Sequence, residues 1–214
     1  MMLRIVVFAS GRGSNARSLF ALAKKNPDKI SVVALVSNRK KAGVIEYAKE
    51  FGVPSFVVPV RLSAPKKERR QQHEKEIAAV LDGLSFDYIC LAGYMRIFTP
   101  QFVARYPHST WPVSKIINIH PSLLPSFPGT SGYGDALRYG VKYSGVTLHF
   151  VDAGVDTGPI IHQRIVERKS QDTFAQFQTR GLHEEHQAYK EMLLALSDER
   201  YVVHHSPFSL FLQV

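Results

Sequence analysis

Apolar and polar-faced segments alternate along the first 120 residues, and this order leaves few folds open to the chain. Five short apolar runs, often β-branched, predict strands at residues 3–9, 30–36, 55–58, 88–92 and 116–120. The stretches between them predict helices, including residues 44–51, 66–81 and 100–106. Short links between alternating strands and helices are typical of α/β proteins. We therefore expect a mostly parallel, doubly wound, Rossmann-like sheet with right-handed crossovers.

The second half of the chain departs from this alternation. Residues 126–133 are rich in Gly, Ser, Pro and Thr, which predicts an irregular loop. Two apolar runs at 146–151 and 160–166 predict a C-terminal β-hairpin, and residues 174–196 predict a long helix. The tail beyond Arg200 is apolar without a clear period, so we predict no element there.

Composition and charge narrow the class of protein. The chain has 214 residues, and none of its apolar runs approaches the roughly 20 residues that span a bilayer. Cys90 is the single cysteine, so no intrachain disulfide can form. The apolar start of the chain is interpreted as a strand and not as a signal peptide. We therefore expect a cytoplasmic protein. The net charge of +9 suits small anionic substrates. Because no RNA-binding aromatic motif accompanies the charge, we expect no nucleic acid and no membrane partner.

A glycine-rich loop at residues 10–15 follows the first strand and opens the first helix. The N–H groups and dipole of a helix start favour an anion, and Gly11 and Gly13 let the backbone approach it closely. Ser14 and Asn15 could add donors or cap the helix. The spacing also matches a loosened dinucleotide fingerprint, and the basic run at 39–41 suits a 2′-phosphate. An NADP-dependent oxidoreductase and a non-catalytic nucleotide-binding protein therefore stay open as alternatives.

Asn118 and His120 lie two residues apart at the end of the predicted strand Ile116–His120, and Pro121 stops the run. Residues i and i+2 of a strand point the same way, so the amide and the imidazole would project together. Ligands of doubly wound sheets bind beyond the carboxyl ends of the strands. We therefore expect this pair to face the same site as the glycine loop, where a donor beside a titratable ring suits acyl-type chemistry.

Other titratable residues have simpler structural interpretations. Asp156 lies between Gly154 and Gly158, a pattern typical of a turn, although a carboxylate there could charge and orient a nearby imidazole. His149 and His162 lie in apolar strands and are interpreted as packed histidines.

The run of residues 183–186, His-Glu-Glu-His, lacks the spacing of an H-E-x-x-H zinc site, and the sequence nominates no further ligands. We therefore expect no metal. An exposed helical face is the favoured interpretation of this run, with one carboxylate available to a sugar hydroxyl.

Taken together, these motifs resemble those of the folate-dependent formyltransferases. The matching segments are residues 7–15, 91–97, 117–125 and 145–159, with Glu184-Glu185-His186 in the last helix. The Asn-x-His-Pro-Ser block with the later Asp-x-Gly-Pro is highly specific for the family, and the Gly-x-Gly-Ser-Asn loop points to the branch that acts on glycinamide ribonucleotide. The resemblance implies formyl transfer from the co-substrate 10-formyltetrahydrofolate to the amine of that ribonucleotide in purine synthesis.

The resemblance also implies roles for individual residues. Asn118 and His120 would stabilise the oxyanion of a tetrahedral intermediate, and Asp156 would orient and charge His120. The ribonucleotide would contact Gly13, Ser14, Asn15 and Glu185. The folate would contact Arg70, Met95, Arg96, Ile97, Phe98, Asn118, Val151 and Asp152.

On this basis we expect one formyltransferase domain over residues 1–214, with a nucleotide-phosphate-binding half at 1–112 and a catalytic and folate-binding half at 113–214. It would act as a monomer or a homodimer. Another formyl-folate-using transferase or hydrolase stays open as an alternative, although relatives directed at transfer RNA carry a further C-terminal domain and hydrolase relatives usually carry an N-terminal one. One position departs from the family: Tyr133 stands where many relatives have a histidine, which predicts a changed loop contact with activity kept.

Overall fold

One mixed sheet forms the centre of the protein. The computed structural model describes residues 2–63, 65–205 and 208–213. Its main strands are β1 (Leu3–Phe8), β2 (Ile30–Ser37), β3 (Ser55–Val57), β4 (Tyr88–Leu91), β5 (Ile116–His120), β6 (Tyr143–Phe150) and β7 (Ile160–Glu167). Their order is β3-β2-β1-β4-β5-β6-β7, and β1 to β5 run parallel while β6 and β7 form an antiparallel hairpin at one edge. The predicted doubly wound α/β fold is confirmed.

Helices cover both faces of this sheet. They are α1 (Ser14–Lys25), α2 (Val44–Glu50), α3 (Arg69–Leu81), α4 (Pro100–Ala104), α5 (Gly132–Tyr139) and α6 (Phe174–Ser197). The predicted cap of α4 is present, since Thr99 Oγ1 accepts from the N–H of Phe102. α3 begins three residues later than predicted, at Arg69. None of the helices within the described residues is long and apolar enough to cross a membrane.

Two apolar cores follow from the alternation of side chains along the strands. In β1, Leu3, Ile5 and Val7 point to the core shared with α1, α5 and α6. Val6 and Phe8 point to the opposite core, shared with α3 and α4. Because both faces are buried, β1 is apolar at nearly every position, as strands of covered parallel sheets are.

A second hairpin, β8 (Tyr201–His205) and β9 (Phe208–Leu212), was not predicted. Its aromatic residues pack around Trp111, with the ring centroids of Tyr201 and Phe208 at 5.3 and 6.2 Å from that ring. Residues 206, 207 and 214 of the apolar tail lie outside the described residues. Leu210 is also buried in the core shared with α6, and Phe208 lies 6.0 Å from Phe150. Because the apolar surface that the tail covers comes from residues far away in the chain, the tail sequence by itself carries no recognisable period.

The carboxyl ends of the central strands bring two loops together. The N–H of Ser10 donates to the carbonyl of Gly93 at 3.1 Å, and the N–H of Met95 donates to Ser10 Oγ at 2.9 Å. The glycine loop therefore lies against the segment after β4, while β5 ends beside both. This edge of the sheet holds the predicted site residues.

Candidate active site

A cavity of about 510 Å³ opens beyond the ends of β4 and β5. Its lining includes every residue predicted to contact folate, namely Arg70, Met95, Arg96, Ile97, Phe98, Asn118, Val151 and Asp152. His120, His149 and Asp156 line the same cavity. Met95 and Ile97 are 71% and 53% exposed, so apolar surface lies open at its rim. A concave, largely apolar site with a few converging polar groups suits a small organic ligand.

His120 lies between two acceptors. Its Nδ1 is 3.2 Å from Asp156 Oδ2, and its Nε2 is 2.8 Å from the carbonyl oxygen of Phe127. Both partner atoms only accept hydrogen bonds, so a ring protonated on both nitrogens satisfies them together. The side chains of His120 and Asp156 are 3% and 12% exposed, which places this contact out of bulk water. The structure thus brings together the two residues whose contact the sequence could only suggest.

Backbone conformation holds this pair from both sides. Asp156 and Phe127 have φ values of 56° and 54°, in the left-handed region that L residues rarely adopt. The N–H of Gly129 donates to Asp156 Oδ2 at 2.8 Å. Each such residue costs on the order of 1 kcal/mol and persists only where its surroundings fix it. The 127–129 turn therefore supplies one partner to His120 and one to Asp156.

His149 is a site residue that sequence reasoning missed. It is buried, as predicted, but its Nε2 is 3.3 Å from Asn118 Nδ2 and 3.7 Å from Asp156 Oδ1. Its Nδ1 faces the carbonyl of Phe150 at 2.9 Å and must carry the proton, so Nε2 accepts from the Asn118 amide. Burial lowers the pKa of His149, in keeping with this neutral ring, although Asp156 opposes the shift.

The contact depends on strand register, which pairs Asn118 with His149 across β5 and β6. No feature of either strand sequence fixes that register. The available signal was the alternation of Thr147 and His149 with apolar neighbours, which puts two polar side chains on one face of the predicted strand.

The glycine loop makes a tight approach to α2. Gly13 precedes α1 with φ 83°, and a Cβ there would lie 2.5 Å from the side chain of Val44. Of the two roles open to Ser14 and Asn15, capping of α1 is not observed, because Gly13 is the N-cap residue and no side chain makes a cap bond. Ser14 is exposed at the first helical position, so the helix start stays open to an anion.

Asn15 turns inward to Glu185. Its Nδ2 donates to Glu185 Oε2 at 2.5 Å, and the hydroxyl of Tyr133 donates to Glu185 Oε1 at 2.5 Å. The favoured exposed-face interpretation of residues 183–186 is wrong for Glu185, which is 6% exposed, and holds for His183. Glu185 shares the inner face of α6 with Gly181 and other buried residues, because helical neighbours recur every three to four positions. Burial raises the pKa of Glu185, while both donors oppose that rise.

Within the described ranges, no group of three or more His, Cys, Asp or Glu side chains is arranged to hold a metal ion.

The formyl transferase family matches residues 3–193, and the chain belongs to this family of transferase enzymes. Phosphoribosylglycinamide formyltransferase of Bacillus subtilis (strain 168) is 39% identical over 196 residues, which cover 91% of this chain and 95% of that protein. The crystal structure of glycinamide ribonucleotide transformylase 1 from Symbiobacterium toebii matches with a TM-score of 0.87 at 34% identity, covering 99% of this chain and 94% of the other. The resemblance inferred from the motifs is confirmed.

A second branch of activity also shares the fold. A formyltetrahydrofolate deformylase from Pseudomonas syringae pv. tomato has a TM-score of 0.82 at 27% identity, covering 99% of this chain and 66% of that one. Fold alone therefore does not separate transfer to an amine from transfer to water.

Proposed function

We propose that the protein transfers the formyl group of 10-formyltetrahydrofolate to the primary amine of glycinamide ribonucleotide, a step of purine biosynthesis. The observation that carries this proposal is the convergence of Asn118, His120 and Asp156 on one cavity with the predicted folate-contacting residues. The substrate in the names of the Bacillus and Symbiobacterium relatives supports the ribonucleotide as the acceptor.

The first step is attack by the amine. The lone pair of the neutral amine forms a bond to the formyl carbon, and the formyl oxygen becomes negative. Asn118 Nδ2 has two hydrogens, of which one goes to His149 and the other is free to meet this oxygen. The positive ring of His120 beside it adds charge stabilisation. Loss of one such donor typically lowers the rate by about 10²–10³-fold.

The second step moves one proton and breaks one bond. The attacking nitrogen loses a proton, the bond between the formyl carbon and N10 of the folate breaks, and N10 takes up a proton. A bound water relays the proton from one nitrogen to the other, and the Asp156 carboxylate orients both this water and the ring of His120. Tetrahydrofolate leaves, so the folate is a consumed co-substrate and the proposed reaction calls for no metal.

The two substrates would enter from neighbouring loops. The start of α1, with Gly13, Ser14 and Asn15, would hold the ribonucleotide phosphate, and Glu185 would accept from the sugar hydroxyls. Residues 95–98 and the 151–156 loop would enclose the folate ring. The Ser10–Met95 hydrogen bond holds the two loops side by side, which supports the binding of both substrates in one site.

The test is an assay of the purified protein with 10-formyltetrahydrofolate, with and without glycinamide ribonucleotide, followed by the absorbance of released tetrahydrofolate. We expect release that depends on the ribonucleotide. Release without it would identify a deformylase, and folded protein that releases no tetrahydrofolate would refute the proposal. Tight binding of NADPH would instead favour the oxidoreductase alternative.

We also propose a cytoplasmic location and a monomeric or homodimeric state. The single cysteine, Cys90, is a buried free thiol, and burial raises its pKa to about 12, so it is protonated and unreactive at neutral pH. A chain without disulfides suits a reducing compartment.

A further inference from the structure

The hydrogen bond from Tyr133 to Glu185 is buried and takes no part in the chemistry proposed above. We propose that Tyr133 is a positioning residue that holds the Glu185 carboxylate in place for the sugar hydroxyls of the ribonucleotide. The inference rests on the proposed function.

Glu185 is held by two different helices. Asn15 of α1 donates to one carboxylate oxygen and Tyr133 of α5 donates to the other, each at 2.5 Å. Because a carboxylate only accepts, the NH₂ of Asn15 must face it, and Asn15 Oδ1 is then buried with no hydrogen-bond partner among the described residues. Each carboxylate oxygen keeps a second lone pair. Two donors on separate elements fix the plane of the carboxylate and so the direction of those lone pairs.

The residues packed around the Tyr133 ring direct its hydroxyl toward Glu185. Tyr133 is 5% exposed, and its ring packs edge-on against Phe177 at 5.8 Å. A Cβ at Gly181 would lie 2.3 Å from the phenol carbon and oxygen of Tyr133. Glycine inside a helix costs about 1 kcal/mol relative to alanine. The inner face of α6 therefore has a glycine where the phenol must pass to reach Glu185.

The hydroxyl also affects the charge of the acid. Burial raises the pKa of Glu185, which favours a protonated carboxyl that accepts sugar hydroxyls poorly. Donation from Tyr133 stabilises the carboxylate and lowers that pKa. Without the hydroxyl, the ribonucleotide should bind more weakly. As the pH is lowered, Glu185 should also become protonated, and binding should be lost, at a higher pH than in the wild type.

The test is Tyr133→Phe, which keeps the ring and removes the hydroxyl. We expect the KM for glycinamide ribonucleotide to rise about tenfold, as for loss of a hydrogen bond to a charged group, with kcat and the KM for the folate changed less than about threefold. The acid limb of the pH profile for that KM should move to higher pH. Tyr139→Phe is the matched control, since this tyrosine is on the same helix and 81% exposed.

Two further measurements decide between positioning and general stability. When Glu185 is already replaced by glutamine, Tyr133→Phe should raise the KM for the ribonucleotide no further. Calorimetry of ribonucleotide binding without folate should likewise show that Tyr133→Phe weakens binding only when Glu185 is present. The inference would be overturned if Tyr133→Phe had the same effect with and without Glu185, or if it behaved like Tyr139→Phe. In either case, turnover by the wild-type protein would leave the proposed function intact. Wild-type protein that neither binds nor formylates the ribonucleotide would overturn both.

Discussion

The protonation states around His120 follow from the atoms that each nitrogen faces. His120 lies between a carboxylate and a carbonyl, so each of its nitrogens faces an acceptor. His149 lies between a carbonyl and an amide, so one nitrogen donates and the other accepts. The two buried imidazoles therefore differ in their hydrogen-bond partners, and Asp156 lies closer to His120, at 3.2 Å, than to His149, at 3.7 Å. The proposed oxyanion requires two donors, and the ring of His120 and the oriented amide of Asn118 lie where they can supply them.

Replacement of Asp156 by asparagine tests that assignment. The oxygen of the new amide can still accept from Gly129, so the fold should persist, but the variant can neither charge His120 nor carry a proton. We expect kcat to fall by about 10²–10⁴-fold, the range of general acid–base catalysis. Near-normal turnover would remove Asp156 from the mechanism. Asp135→Asn, which changes a carboxylate outside the cavity lining, is the control.

The charge state of His149 can be observed directly. Burial lowers its pKa from the ordinary value of 6.5, so we expect a neutral ring at pH 6.5, where a free histidine is half protonated. The proton should reside on Nδ1, which faces the carbonyl of Phe150. Nitrogen-15 NMR of the imidazole, with His149→Gln to assign the signal, distinguishes the two tautomers and the charged ring. A ring protonated on Nε2 would contradict the orientation given to Asn118.

Among the secondary-structure elements, the start of α1 is the one expected to bind an anion. Gly13 ends the loop in a conformation that leaves the first helical N–H groups open, and Ser14 is exposed beside them. The macrodipole effect falls off within the first turn. An anion bound here is therefore sensitive to charge at residue 14 and far less so one turn later.

Ser14→Asp should raise the KM for glycinamide ribonucleotide at least about tenfold, since like charges a few ångströms apart near a protein surface repel by on the order of 1–4 kcal/mol. Ser18→Asp places the same charge one turn along α1 and should have a much smaller effect. Steady-state kinetics of both variants at low ionic strength provide the measurement. Equal KM values in both would place the phosphate elsewhere.

Elements differ in how far the sequence predicted them. β5 begins and ends where its apolar run does, and α4 begins at its Thr-Pro cap, because these signals are local. The β8–β9 hairpin was missed because its aromatic residues are stabilised by Trp111, about 90 residues earlier in the chain. The sequence predicts a helix or strand well only when residues within that helix or strand determine where it begins and ends.

For the whole molecule, the buried acid links the ribonucleotide site to stability. The folded-state pKa of Glu185 is raised above its ordinary value of 4.5, so the folded protein binds this proton more tightly than the unfolded chain. The tighter proton binding contributes fully to the unfolding free energy below pH 4.5, the ordinary pKa of a glutamate. This contribution is lost as the pH rises through the pKa of Glu185 in the folded protein. Glu185→Gln removes this loss, because glutamine does not titrate.

We therefore expect the unfolding free energy of Glu185→Gln, relative to wild type, to increase between pH 5 and pH 8. Urea unfolding at both pH values measures the difference, and other titrating groups cancel because both proteins share them. A difference that stays constant with pH would show that Glu185 is not strained by burial. The same variant should bind glycinamide ribonucleotide poorly, which is the trade of stability for function expected of a buried acid at a binding site.

The amino-acid sequence by itself determined the α/β class, the positions of β5 and the glycine loop, and the family, since these rest on periodicity and on motifs a few residues long. Tertiary structure alone decided that Asp156 reaches His120, that His149 supports Asn118, and that Glu185 is buried between Asn15 and Tyr133. Each of these contacts joins residues between 31 and 170 positions apart. Such contacts are set by strand register and helix packing, which depend on the whole core and not on any local run of residues.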